Sequence, residues 1–299
     1  MRSLIEVINE KLKIRTSTSK STQLVYITNE NDLAEHIEKT NDFKDGILHL
    51  QNLSFEKFET LMYKINDVLA NFHKNYKIDT IDVSGWVFPD KKDLSIVNIF
   101  SELGSIKKII GLDTWDTSNV VNIAGMFNGC INLTDLDDIK DWDLSNCDNF
   151  ARVFRDCATL RKLDLSGWAP KSIKTVEMMF KGCRELNEIK GIENWPVEKV
   201  QYFNKMFFNC INITKLDLTN WVIGRDCIST VSMFENCENL QTLGDISGWK
   251  TWHIQTLASM FYNCKSLKCD ISNWTFLRSC YKPKMCMKTN SKIFKKPSR

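Results

Sequence analysis

A phenylalanine returns at Phe127, Phe154, Phe180, Phe207, Phe234 and Phe261, at intervals of 27, 26, 27, 27 and 27 residues, and no other feature restricts the fold of this chain more. A period of this length belongs to repeat architectures in which each unit packs against its neighbours. A tryptophan keeps the same period at Trp86, Trp115, Trp142, Trp168, Trp195, Trp221, Trp249 and Trp274. Each of the six Phe opens an F-x-x-C element, which places Cys130, Cys157, Cys183, Cys210, Cys237 and Cys264 at one repeat position.

Within one unit the pattern changes period. Ile173, Val176, Met179, Phe180, Cys183 and Leu186 are apolar at steps of three or four, which predicts a short helical or 3₁₀ turn. Leu163-Asp164-Leu165-Ser166 alternates and predicts a short strand with one buried face. Gly167 permits a bend, and Trp168 supplies a plate that can stack on the Trp of the next unit. So short a unit cannot cover its own apolar side, so stacking is obligatory. At a rung spacing of about 4.8 Å the Trp-bearing units would extend roughly 35–40 Å.

LDLSGW at 163–168, an apolar stretch and then MF-x-x-C-x-x-L together resemble the BspA-like branch of the leucine-rich repeats, also described as mycoplasma-type lipoprotein repeats of unknown function. The resemblance covers residues 79–275. It implies an α/β, leucine-rich-repeat-like solenoid of about eight 26–27-residue coils, each a short strand plus a short helical turn. It also implies a role in surface contact or protein–protein interaction, and no catalytic residues. The motif is kept at Trp168, Trp221 and Trp249 but replaced by DIKDW and GIENW at Trp142 and Trp195.

Residues 1–22 contain an amphipathic piece (Leu4, Ile5, Val7, Ile8, Leu12) and a polar linker. A strand follows at 24–27, then a helix from Asn31 to about Lys39 capped by Asn31-Asp32, an alternating strand at 46–53, and a long helix capped by Ser54. A further strand is expected at 78–83. Residues 1–78 thus form irregular early repeats capping the solenoid, or a separate domain; 79–277 are the repeats. Residues 278–299 read as a flexible basic tail in which Met285 and Cys286 do not rebuild the motif. This tail carries Arg278, Lys282, Lys284, Lys288, Lys292, Lys295, Lys296 and Arg299 with no acid. Without these eight, 32 basic residues remain against 37 acidic, so the body has net charge −5 where the whole chain has +3.

The chain has no apolar run long enough for a membrane span, and Met1-Arg2-Ser3-Leu4-Ile5-Glu6 puts charge where a signal peptide needs an apolar stretch, so an intracellular location is expected, with a surface or particle-associated one left open. The column cysteines then read as reduced, buried hydrophobes. His36, His49, His73 and His253 do not recur beside them, so no metal is expected. Nucleotide-binding, metalloprotease and hydrolase motifs are missing, and neither catalysis nor a cofactor is expected.

Four residues before each Trp stand Asp82, Asp138, Asp164, Asp217, Asp245 and Asp270, interrupted by Gly111 and Gly191. Two residues later come Ser84, Ser166, Thr219, Ser247 and Ser272. Strand alternation turns both columns outward. Hydrogen bonds to turn amides and hydroxyls are the preferred account, ahead of a binding face for a basic partner or cation. Trp252 and His253 break the pattern and mark a packing variation or a local contact site. The expectation is a monomeric, non-enzymatic scaffold that presents a rigid surface to another protein and has no small-molecule substrate. Nucleic acid or membrane contact would come only through the tail.

Overall fold

In the computed structural model, which describes residues 24–41, 45–55, 58–289 and 294–295, every paired strand runs parallel to a partner about one period away. The expected start at 1–22 lies outside the described residues, as do Lys292, Lys296 and Arg299. The fold is mixed and strand-rich, with two α-helices among the described residues. Strands β1 (Val25–Ile27) and β3 (Leu53–Phe55) pair, and β2 (Ile47–His49), β4 (Thr80–Asp82) and β6 (Lys108–Ile110) form a three-stranded sheet. Leu48, Ile81 and Ile109 share one register position there. The pairs β5 (Leu94–Ser95) with β7 (Val120–Asn122), β8 (Lys162–Asp164) with β9 (Glu188–Lys190), and β10 (Cys269–Asp270) with β11 (Phe294–Lys295) complete the set. Single bridges such as Lys108 to Asp135, Asn149 to Thr175 and Thr256 to Tyr281 extend these pairings between repeats.

At 173–186 and the equivalent positions the expected helical or 3₁₀ turn is replaced by β-turns, while the 3₁₀ turns among the described residues, Leu112–Thr114 and Asp137–Ile139, fall just before Trp115 and Trp142. Met179 N–H donates to Val176 O at 3.1 Å and Cys183 N–H to Phe180 O at 3.2 Å within one repeat. The intervening amides cross to the next repeat: Met178 N–H to Asn204 O, Phe180 N–H to Met206 O and Gly182 N–H to Phe208 O, at 2.7–3.0 Å. Such turns need a left-handed residue at every fourth position, here Met178 (φ 56°) and Gly182 (φ 79°), and Gly125/Gly129, Arg152/Asp156, Lys205/Asn209 and Ser232/Asn236 repeat the pair. A helix would have kept all of these amides for itself. The apolar spacing of three and four is therefore that of successive turns.

These bonds hold the Phe column in register. Phe100, Phe127, Phe154, Phe180, Phe207, Phe234 and Phe261 are each fully buried, and successive rings stack at centroid distances of 5.3–5.8 Å. Trp86, Trp115, Trp142 and Trp168 stack likewise at 5.3–6.1 Å, as do Trp249 and Trp274 at 5.9 Å, whereas Trp195 stands against Phe150 at 5.3 Å. Trp142 Nε1 donates to Leu112 O, Trp168 Nε1 to Ile139 O and Trp221 Nε1 to Ile192 O, at 2.7–2.8 Å. Each of these indoles thus bonds back to the preceding repeat.

Helix α1 (Glu30–Thr40) begins one residue earlier than expected, because Asn29 is its cap: the Asn29 side chain accepts from the amides of Asn31 and Asp32. Ser54 is no cap either. It lies in β3, four residues before helix α2 (Phe58–Asn75), whose Phe58, Leu61, Ile65, Leu69 and Phe72 are all buried. From α2, Asn66 Nδ2 donates to Ile99 O at 3.2 Å and Ser101 O at 2.9 Å, capping the carbonyl side of the first turn layer.

Beyond Trp274 the chain departs from expectation. Leu257, Ser259, Phe261 and Asn263 donate their amides to the carbonyls of Tyr281, Pro283, Met285 and Met287 at 2.8–3.0 Å. Lys284 and Lys288 take the two left-handed positions, at φ 55° and 60°. Met285 is buried, and Cys286 occupies the place of the column Phe. Residues 281–288 therefore build one more rung; its motif is hidden because main-chain bonds, not ring identity, set the register. Among the described residues no helix is long and apolar enough to cross a membrane.

Candidate functional site

The Asp column sits at the start of each bend, where its side chains close turns. Asp164 Oδ1 accepts from the Ser166 amide at 3.0 Å and its hydroxyl at 2.5 Å. Asp82 with Ser84, Asp217 with Thr219, Asp245 with Ser247 and Asp270 with Ser272 repeat this pair at 3.0–3.1 Å and 2.6–2.7 Å. The hydroxyl bond holds the carboxyls of Asp164, Asp217 and Asp245 below the usual carboxylate range. Asp138 has no such hydroxyl; burial pushes its carboxyl up, and it accepts from the Gly111 amide at 3.2 Å. The outward-facing stripe is discontinuous, since Asp82 is only 7% exposed while Asp217, Asp245 and Asp270 are exposed. Its Oδ1 atoms are all spent on their own turns except at Asp138.

The cysteine column has its own ladder. Cys130, Cys157, Cys183, Cys210, Cys237 and Cys264 donate their thiols to the carbonyls of Phe100, Phe127, Phe154, Phe180, Phe207 and Phe234, at 2.9–3.1 Å. No two of the eleven cysteines are joined, and no group of three His, Cys, Asp or Glu among the described residues is placed to hold a metal ion. Burial pushes the Cys130 thiol from an ordinary value of 9.0 to about 12, and raises Cys157 and Cys210 as well. Folding thus favours the protonated thiol. The associated stability is whole below about pH 9 and is lost as pH climbs toward 12. At neutral pH a thiol reagent is expected to leave these six cysteines unmodified in the native protein and to reach all eleven in guanidinium. Peptide mapping by mass spectrometry reads this out, and rapid native labelling of Cys157 would contradict it.

One cluster lies off every column. Of the nine Trp, eight are 6% exposed or less, and Trp252 alone is 44% exposed. It follows Trp249 by three residues, at the same corner where Leu277, 39% exposed, follows Trp274 on the next rung. Thr251 Oγ1 donates to Thr275 O at 2.8 Å and ties the two corners together. From the preceding rung the Arg225 guanidinium lies 5.9 Å from the Trp252 ring centre, and the His253 ring meets the indole edge-on at 5.2 Å. Among the described residues neither His253 ring nitrogen has a hydrogen-bond partner, and both are shielded from solvent. Trp252 does not fill the core; it stands at the surface of this corner. Arg225 carries no signal of its own in the sequence, because only stacking places it over Trp252.

A concavity of about 320 Å³ lies beside α2, lined by Asn66, Asp67, Asn98, Ser101, Asn128, Arg152 and Arg155. Its polar walls come from the helix and three successive repeats. Arg155 is already paired with Asp156 at 3.0 Å.

The family model described as a Mycoplasma protein of unknown function, DUF285, matches residues 94–221 and 188–297. No curated protein matches the chain. Among solved structures, a leucine-rich cell surface protein from Faecalibacterium prausnitzii A2-165 is similar at 15% identity and a TM-score of 0.35, over 75% of this chain and 66% of that one. The chain therefore spans about two thirds of that protein's length. The two family matches together cover residues 94–297, well over half of the 299-residue chain, and the repeats carrying the Trp, Phe and Cys columns make it a member of the DUF285, BspA-like family.

Proposed function

We propose that this chain is a non-enzymatic interaction scaffold: a leucine-rich-repeat-like solenoid of about eight coils, capped by the α/β segment before residue 79, that holds a surface rigid for another protein. The supporting observation is Trp252, a large aromatic left 44% exposed on a frame where the other eight indoles are buried. An exposed Trp flanked by Arg is the composition of an interface anchor. Its mounting on main-chain-bonded rungs lowers the ordering cost of binding. The partner it fits is a protein with an apolar pocket and an acidic rim, the rim meeting Arg225 and Arg278.

The test is affinity capture on immobilised full-length protein, with the retained protein identified and its binding measured against Trp252→Ala and Arg225→Ala. Trp252→Ala is expected to cost about 2 kcal/mol or more of binding while leaving the melting temperature unchanged. Equal retention by parent and both variants would overturn this reading.

A further inference from the structure

The two ends of the turn ladder are finished differently. At the first rung, Asn66 from α2 caps the carbonyls of Ile99 and Ser101. At residues 281–288 the amides equivalent to those of Leu257, Ser259 and Asn263, which in that rung each cross to a neighbour, belong to Lys282, Lys284 and Lys288. Here they have no acceptor among the described residues. All three residues are exposed, and beside them Tyr281 is 65% and Met287 49% exposed. Apart from Cys286 between them, which has a partner, these donors are left open, and open donors along a parallel edge template the addition of another strand.

We propose that this edge docks an acidic, extended segment of a partner polypeptide as one further rung. The segment's carbonyls accept from the amides of Lys282, Lys284 and Lys288, and its side chains cover Tyr281 and Met287. Charge selects the occupant. From Arg278 to Thr289 the described chain carries Arg278, Lys282, Lys284 and Lys288 and no acid, so this edge attracts carboxylates. A second copy of this chain fits less well, because its first turn layer is already capped by Asn66.

A fluorescent synthetic peptide of alternating Glu and Val, titrated into full-length protein, tests this. The expected result is saturable binding that weakens as salt rises, together with slower hydrogen exchange at the amides of Lys282, Lys284 and Lys288. The exposed charge reversal Lys282→Glu with Lys288→Glu should keep the parent's melting temperature and lose the peptide. Absence of binding, unchanged exchange at those amides, equal affinity for inorganic polyphosphate, peptide binding retained by the reversal variant, or a doubled mass in light scattering without peptide would each overturn the proposal.

Discussion

Replacing Phe180 by Ala is expected to destabilise the protein by about 3–5 kcal/mol, the range for truncating a fully buried aromatic. The Phe180 ring is inaccessible to solvent and lies between Phe154 at 5.7 Å and Phe207 at 5.3 Å, with interplanar angles of 10° and 13°. Its rung is held on both sides: the Phe180 amide donates to Met206 O at 2.9 Å and its carbonyl accepts the Cys210 thiol at 3.0 Å, while the preceding Met179 carbonyl accepts the Phe154 amide at 2.9 Å. Neighbouring rungs therefore cannot close in to fill the void, and the cavity keeps most of its cost. Phe180→Leu retains most of the volume and should cost less than about 1.5 kcal/mol. Urea unfolding of the three proteins measures the differences, and an Ala variant within about 1 kcal/mol of the parent would show that the rings carry no stacking load.

A methyl group at Gly191 is the second substitution with a large expected effect. Gly191 has φ 94°, and a Cβ there would fall 2.4 Å from both Leu165 C and O and 2.5 Å from the Ser166 amide nitrogen, all main-chain atoms of the preceding rung. Left-handed backbone costs a side-chain-bearing residue about 1–2 kcal/mol. Overpacking against atoms that cannot swing away adds about 1–3 kcal/mol. Gly191→Ala should therefore lose about 2–5 kcal/mol. Gly248→Ala is the matched control, because nothing lies within 4 Å of the position its Cβ would take, and its change should stay under about 1 kcal/mol. Comparable losses at both positions would refute the close-approach account.

The same close approach explains why the Asp column breaks where it does. At Gly111, with φ 86°, a Cβ would meet Ser84 Cα at 2.5 Å and its nitrogen at 2.6 Å. No aspartate fits at either glycine. The turn bond is made another way, by Glu193 accepting from the Gly191 amide at 2.8 Å and by Asp138 of the following repeat accepting from Gly111.

Much of the architecture was legible because ring-sized residues recurring at one period must share one environment. The Phe column and the buried cysteines follow from patterning, and so does the early order of strands and helices, except that the single strand expected at 46–53 is two, β2 and β3, which pair in different sheets because the chain turns at Gln51-Asn52. The turns read as helical because Ile173, Val176, Met179 and Phe180 carry a spacing that successive β-turns and a helix share. The last rung escaped because Cys286 stands where the other rungs carry Phe. Ser54 and Asn31 were misplaced as caps because a capping residue declares itself by its amide partners, which composition does not reveal.

By itself the sequence determined the period, the identity of the buried columns and the family, since all three are properties of residue order. Tertiary structure alone decided which amides stay within a repeat and which cross to the next, and hence that the repeats turn where a helix was expected. It also decided that Trp252 faces solvent beneath Arg225 and that the amides of Lys282, Lys284 and Lys288 are left without acceptors among the described residues. These are relations between residues a full repeat apart, fixed by backbone hydrogen bonding, to which every residue but proline contributes the same donor and acceptor.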